Sequence, residues 1–284
     1  MPSAHVNGLD LYFERRGRGP RLLFCNGSGA TLATTRPLVD PFTERFDTVA
    51  HDQRGLGQTE IPPGPYGMAD YAADAAALLD HLGWERCRVV GVSFGGMVAQ
   101  ELAVTWPGRV ERLALCCTSP GGPGRGSYPL QDLAELDGAG YAAAFPPLLD
   151  TRFTPAWLET HPETRALVEA LAQRPARPTG ESVRHGQREQ LLARSGHDVW
   201  DRLPAITCPT LVASGRYDGI APASNGEAIA AQVPGAVFNV YEGGHLFFVQ
   251  DHAAMPDVLA TVPYFETDIY DLAGLVRLGE QIWE

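Results

Sequence analysis

Gly91-Val92-Ser93-Phe94-Gly95 sets one hydroxyl between two glycines. The preceding Cys87-Arg88-Val89-Val90 reads as a short buried strand, and the following Gly96–Ala103 run as a helix. Gly-x-Ser-x-Gly between a strand and a helix is a nucleophile elbow, a sharp turn whose glycines leave room where a Cβ would collide. The helix also aims its free N–H groups and positive dipole end at the serine, where negative charge would develop. A plain glycine-rich turn is the alternative, and the flanking strand and helix weigh against it.

A serine hydroxyl is a poor nucleophile at neutral pH and needs a base to take its proton. Two later strand-like runs end in suitable partners. Leu211–Ser214 leads into Gly215-Arg216-Tyr217-Asp218, and Val237–Tyr241 into Glu242-Gly243-Gly244-His245. Sites on open α/β sheets form outside the carboxyl ends of the strands, so Ser93, Asp218 and His245 are expected together. His245 would accept the serine proton and return it to the leaving group, while Asp218 holds the imidazole tautomer and stabilises the imidazolium. The oxyanion would meet the N–H of Phe94 and, from the Asn26-Gly27-Ser28 turn, that of Ser28. Asp52 and Asp251 are alternative acids, but Asp52, with Arg54 two residues on, reads better as a turn brace. His51, His81, His161, His185, His197 and His252 lack a strand-end context and read as surface or cap residues.

Strands and helices must alternate to place these groups. Asn7-Gly8 reads as a hairpin turn. Arg21–Cys25, Thr48–Ala50, Arg112–Cys117, Pro209–Gly215 and Val237–Tyr241 read as strands, and Pro37–Arg45, Met68–Leu82 and Ser224–Gln232 as helices, with Asp70 the N-cap of the second. That alternation implies a mostly parallel sheet covered on both faces. It breaks from about Pro120 to Leu203, where helical patterns run over Leu130–Glu135, Pro155–Glu159, Glu163–Ala172 and Glu181–Ala193. The expected domains are thus a core of 1–119 and 204–284 and a helical insertion of 120–203. Leu272, Leu275, Val276 and Ile282 are spaced for a terminal amphipathic helix packing on its own domain.

Composition narrows the partners. The chain has 284 residues, 44% hydrophobic and 20% charged, as in a soluble globular protein. A net charge of −12 argues against nucleic acid or an anionic membrane surface as partner. Cys25, Cys87, Cys116, Cys117 and Cys208 form no C-x-x-C pair and read as reduced core thiols. With no signal-peptide-like start and no run of about 18 apolar residues, the cytoplasm is the expected location. No metal-ligand spacing or phosphate loop is visible; Gly55-Leu56-Gly57 lacks the third glycine of a dinucleotide site, so no cofactor is expected. A monomer and a homodimer both fit.

The motifs carry a family resemblance. Asn26-Gly27-Ser28-Gly29, Asp52-Gln53-Arg54-Gly55-Leu56-Gly57-Gln58-Thr59, Gly91–Met97, Gly215–Asp218 and Gly244-His245 together resemble an α/β-hydrolase over residues 1 to about 260. The order Ser, Asp, His is that of the scaffold's triad. Within it, Pro63–Tyr66, Arg152–Trp157 and His161–Glu163 are similar to 3-oxoadipate enol-lactonases, and the chain also resembles small carboxylesterases. The family usually has histidine where this chain has Asn26, and asparagine can still bond the loop backbone. The resemblance implies a Ser–His–Asp hydrolase of a small ester or lactone; a perhydrolase, a lyase or a receptor on the same fold would keep much of the pattern. The 120–203 insertion would then be a lid. Tyr128, Phe153, Trp157 and Trp200 are its candidate pocket aromatics, and Gly27, Ile220 and Leu246, beside the expected triad and oxyanion turn, are further candidate substrate-binding residues. Arg125, Arg152, Arg184 and Arg188 are candidate partners for the free carboxylate of an enol-lactone.

Overall fold

Asn7 and Gly8 both take left-handed backbone, φ 49° and 76°, and close a two-residue hairpin between β1 (Ser3–Val6) and β2 (Leu9–Arg16). In this computed structural model, which describes residues 3–123, 126–172, 180–251 and 253–261, six strands follow. They are β3 (Arg21–Cys25), β4 (Asp47–His51), β5 (Cys87–Val92), β6 (Val110–Cys116), β7 (Thr210–Gly215) and β8 (Val237–Tyr241). One eight-stranded sheet results, ordered β1-β2-β4-β3-β5-β6-β7-β8. The two pairings of β2 are antiparallel, and every other pairing is parallel.

Alternation along each strand feeds two cores, one on each face of the sheet. Leu23, Val89 and Leu113 pack with α2 (Met68–His81) and α3 (Phe94–Thr105). Leu22, Phe24, Val90 and Ala114 face the other way, toward α1 (Leu32–Thr43). Between β6 and β7 the chain leaves the sheet for α4 (Gly138–Leu149), α5 (Pro155–Glu159), α6 (Pro162–Ala172) and α7 (Glu181–Ser195). It then adds α8 (Ala223–Gln232), α9 (Phe247–Gln250) and α10 (Ala254–Thr261).

Several local expectations are corrected. α1 begins at Leu32 rather than Pro37, because the Thr34 hydroxyl accepts the Thr31 N–H and caps an earlier start, with Pro37 and Pro41 carried inside the helix. Asp70 is not the N-cap of α2; it is the third helical residue, and its carboxylate accepts the N–H of the capping Gly67 at 2.8 Å. α4 is an addition to the expected helices; its Gly138, Gly140, Pro146 and Pro147 are poor helix formers. His51 and His197 are buried rather than on the surface. Asp52 does brace a turn, but through the backbone N–H groups of Leu32 and Gln58; Arg54 pairs instead with Asp74 at 2.6 Å. Arg125, His252 and the terminal helix expected over 272–282 lie outside the described residues. No described helix is long and apolar enough to cross a membrane.

Candidate active site

Ser93 sits at the β5–α3 turn with φ 56° and ψ −115°, a conformation that costs a non-glycine residue about 1–3 kcal/mol. Its surroundings hold it there. The Ser93 N–H donates to the Cys116 carbonyl at 2.8 Å, and the Thr118 hydroxyl donates to the Ser93 carbonyl at 2.8 Å. A Cβ on Gly91 would stand 2.7 Å from the Gly96 Cα, and one on Gly95 would run into the Cys25 carbonyl. The positions two residues either side of the serine must therefore be glycine.

The loop after β8 brings the His245 Nε2 to 3.0 Å from the Ser93 Oγ. The loop after β7 brings the Asp218 Oδ2 to 2.8 Å from the His245 Nδ1. Asp218 also accepts the backbone N–H groups of Ile220 and Ala221 on its Oδ1, each at 2.8 Å. A carboxylate only accepts, so the Nδ1 of His245 carries the proton and its Nε2 faces the serine as an acceptor. All three side chains are buried, with Ser93 and His245 each keeping 8% exposure.

The other candidates fall around this cluster in different ways. Gly27 adjoins the serine: a Cβ there would be 3.6 Å from the Ser93 Cβ. The N–H of Phe94 opens α3 and has no acceptor within the helix, while its ring is buried 4.9 Å from Tyr71. Ser28 follows Gly27, its hydroxyl buried without a partner. Ile220 is buried beside Asp218, and its carbonyl accepts the Tyr128 N–H at 2.7 Å. Leu246, 39% exposed, stands on the rim after His245. Phe153 and Trp157 pack on each other at 5.3 Å in the small core of the insertion, and Trp200 packs on the main core. Arg152 is held by Asp150 and lies 4.0 Å over the Tyr217 ring. Arg184 and Arg188 are exposed on α7.

Residues that the spacing did not mark also meet here. The segment ending α4 threads between the two loops that carry Asp218 and His245. The Gly219 N–H donates to the Leu148 carbonyl at 3.1 Å, that of His245 to Leu149 at 2.6 Å, and that of Thr151 to Tyr217 at 2.8 Å. Gln250 joins the same strap, accepting the Gly244 N–H and donating to the Asp150 Oδ2. Arg194 on α7 is buried, and its guanidinium donates to the Tyr128 carbonyl and the Ser127 hydroxyl rather than to a carboxylate. Burial lowers its pKa to about 10, while the Asp218 charge opposes the shift. The Cys117 thiol is pushed well up by burial and by the Asp218 charge, so it is a neutral neighbour of the site. Among the described residues, no cluster of histidine, cysteine and carboxylate side chains could hold a metal ion.

Residues 20–252 match the family described as the alpha/beta hydrolase fold. The chain belongs to the α/β-hydrolase fold family. A protein assigned as carbamate hydrolase RutD from Azorhizobium caulinodans is 30% identical over 263 residues, spanning 91% of this chain and 95% of its own. The 3-oxoadipate enol-lactonase 2 of Acinetobacter baylyi is 27% identical, over 86% of this chain and 88% of its own. Among solved structures, the enol-lactonase from Burkholderia xenovorans superposes with a TM-score of 0.73 at 26% identity, covering 91% of this chain and 98% of that one. These relatives are hydrolases, and this α/β-hydrolase stands among them.

Proposed function

We propose that this α/β-hydrolase is a serine hydrolase that opens a small ester or lactone through an acyl-serine intermediate. The observation that carries the reading is the line from the Ser93 Oγ through His245 to Asp218, with steps of 3.0 Å and 2.8 Å. In the first half-reaction the Oγ attacks the carbonyl carbon while its proton passes to the His245 Nε2. The Phe94 and Ser28 N–H groups receive the oxyanion, each contributing about 3 kcal/mol in the transition state. Collapse expels the alcohol, which takes the proton from the imidazolium; in a lactone the alcohol stays tethered to the acyl group. Water then repeats the sequence and frees the acid. The 120–203 insertion acts as the lid that shapes the pocket, with Tyr128 the candidate aromatic nearest the Asp218 loop.

A narrower reading is an acid-bearing lactone, as in the enol-lactonase relatives. Arg194 favours it: a buried guanidinium bonded only to neutral acceptors is a strong site for a carboxylate. The test is a panel of p-nitrophenyl esters of rising acyl length, an enol-lactone acid, its methyl ester and a carbamate, each with wild type and Ser93→Ala. Turnover lost in Ser93→Ala supports the serine hydrolase, and preference for the free acid supports the narrower reading. Turnover that survives Ser93→Ala overturns both.

A further inference from the structure

Three amide side chains lie beneath the turn that follows β3: those of Asn26, Gln53 and Gln190, each only about 1% exposed. The Gly29 N–H donates to the Gln190 Oε1 at 2.7 Å. The Gln190 Nε2 donates to the Gln53 Oε1 at 2.9 Å, and the Gln53 Nε2 donates to the Asn26 carbonyl at 2.9 Å. The chain of bonds therefore leaves the turn at residue 29, crosses two side-chain amides and returns to it at residue 26. Between those anchors lie Gly27, packed against Ser93, and Ser28. Each bond runs donor to acceptor, and flipping either amide would set N–H against N–H or oxygen against oxygen. Within the turn itself, the Ala30 N–H reaches the Gly27 carbonyl at only 3.3 Å. Its shape therefore depends on the side chains beneath it.

The two glutamines come from distant places. Gln53 follows β4, whereas Gln190 belongs to α7, 137 residues later. α7 is seated where it can deliver that amide. One turn earlier on the same face, Gly186 lies against Gly55 so closely that a Cβ would stand 2.9 Å from the Gly55 Cα. Glu189 accepts the Tyr66 N–H at 3.3 Å.

We propose that Gln190, acting on Gly29 directly and on Asn26 through Gln53, is a positioning residue for the oxyanion hole, so that seating α7 on the core and setting the Ser28 N–H are one event. The proposal rests on the reading of Ser93 as nucleophile. An oxyanion donor works only within a few tenths of an ångström of its place, so a turn freed of its amide bridge loses transition-state binding rather than substrate binding.

The experiment compares wild type, Gln190→Leu, Gln190→Glu and Ser93→Ala on the best p-nitrophenyl ester, with a trifluoromethyl ketone as a mimic of the tetrahedral intermediate. Gln190→Leu lowers kcat about 10- to 100-fold, leaves KM within about 3-fold, and weakens the ketone in parallel with kcat. Gln190→Glu adds a pH signature. Its carboxylate accepts the Gly29 N–H but cannot donate to Gln53, whereas the neutral acid does both. Its rate relative to wild type therefore rises as pH falls, while the Gln190→Leu ratio stays flat.

Near-wild-type kcat and ketone affinity in Gln190→Leu, with turnover still lost in Ser93→Ala, overturn the positioning role alone. Turnover that persists in Ser93→Ala, or is absent from wild type, overturns the nucleophile reading and this proposal with it. Should Gln190→Leu fail to fold, the pH ratio of Gln190→Glu decides, a flat ratio counting against the proposal.

Discussion

Asp218→Asn separates orientation from mere presence of the proposed triad's third member. The Oδ1 of Asp218 accepts two backbone N–H groups, from Ile220 and Ala221, while its Oδ2 accepts the His245 Nδ1. An asparagine has one oxygen to place. Turning its NH₂ toward the two backbone donors leaves both unpaired, at about 1–3 kcal/mol each, so the oxygen stays on them and the NH₂ faces His245. The imidazole must then accept at Nδ1 and carry its proton on Nε2, where it meets the serine as a donor instead of a base. The fold is untouched, yet the base is lost, and kcat falls about 10⁴-fold, or about 5.5 kcal/mol of barrier. The assay is kcat on a p-nitrophenyl ester, with the melting temperature as control for folding. A folded variant with kcat within about tenfold of wild type would refute the tautomer argument.

Further outcomes follow from the same contacts. Gln250→Leu removes the acceptor of the Gly244 N–H and one partner of Asp150, so kcat/KM and the unfolding free energy from urea denaturation should both fall, the latter by about 1–3 kcal/mol; an unchanged kcat/KM would show that the strap does not place His245. Burial holds His51 and His197 neutral, each lowered from 6.5 to about 4. Between those values the unfolded chain binds protons that the folded chain refuses, so stability is lost as pH falls through 6.5 toward 4. At pH 5 the loss is ~2 kcal/mol per histidine, lowering Tm by roughly 8 °C for the pair relative to pH 7.5. A Tm equal at the two pH values would contradict neutral burial.

The groups of the candidate site were legible because backbone geometry writes them into the sequence. Gly91 and Gly95 flank Ser93 because only glycine fits there, and a Cβ on Gly244 would stand 2.7 Å from the Asp150 Cα. Asp218 and His245 were found through the ends of β7 and β8, which alternation reveals. What supports those groups was illegible. Gln53 and Gln190 meet across 137 residues, and Gln250 and Asp150 across 100, with no local pattern in either chain segment. Arg194 differs from Arg188 only in which face of α7 carries it, and that face is fixed by the docking of Gly186. α4 was hidden by its prolines, although Pro146 and Pro147 stand at its end.

Trapping the covalent intermediate tests the central claim most directly. A p-nitrophenyl ester reaction quenched in acid during steady state, digested and read by mass spectrometry should show the acyl mass on the peptide containing Ser93. Ser93→Ala should show no adduct and no turnover. Steady turnover with Ser93 unmodified, persisting in Ser93→Ala, would contradict the account.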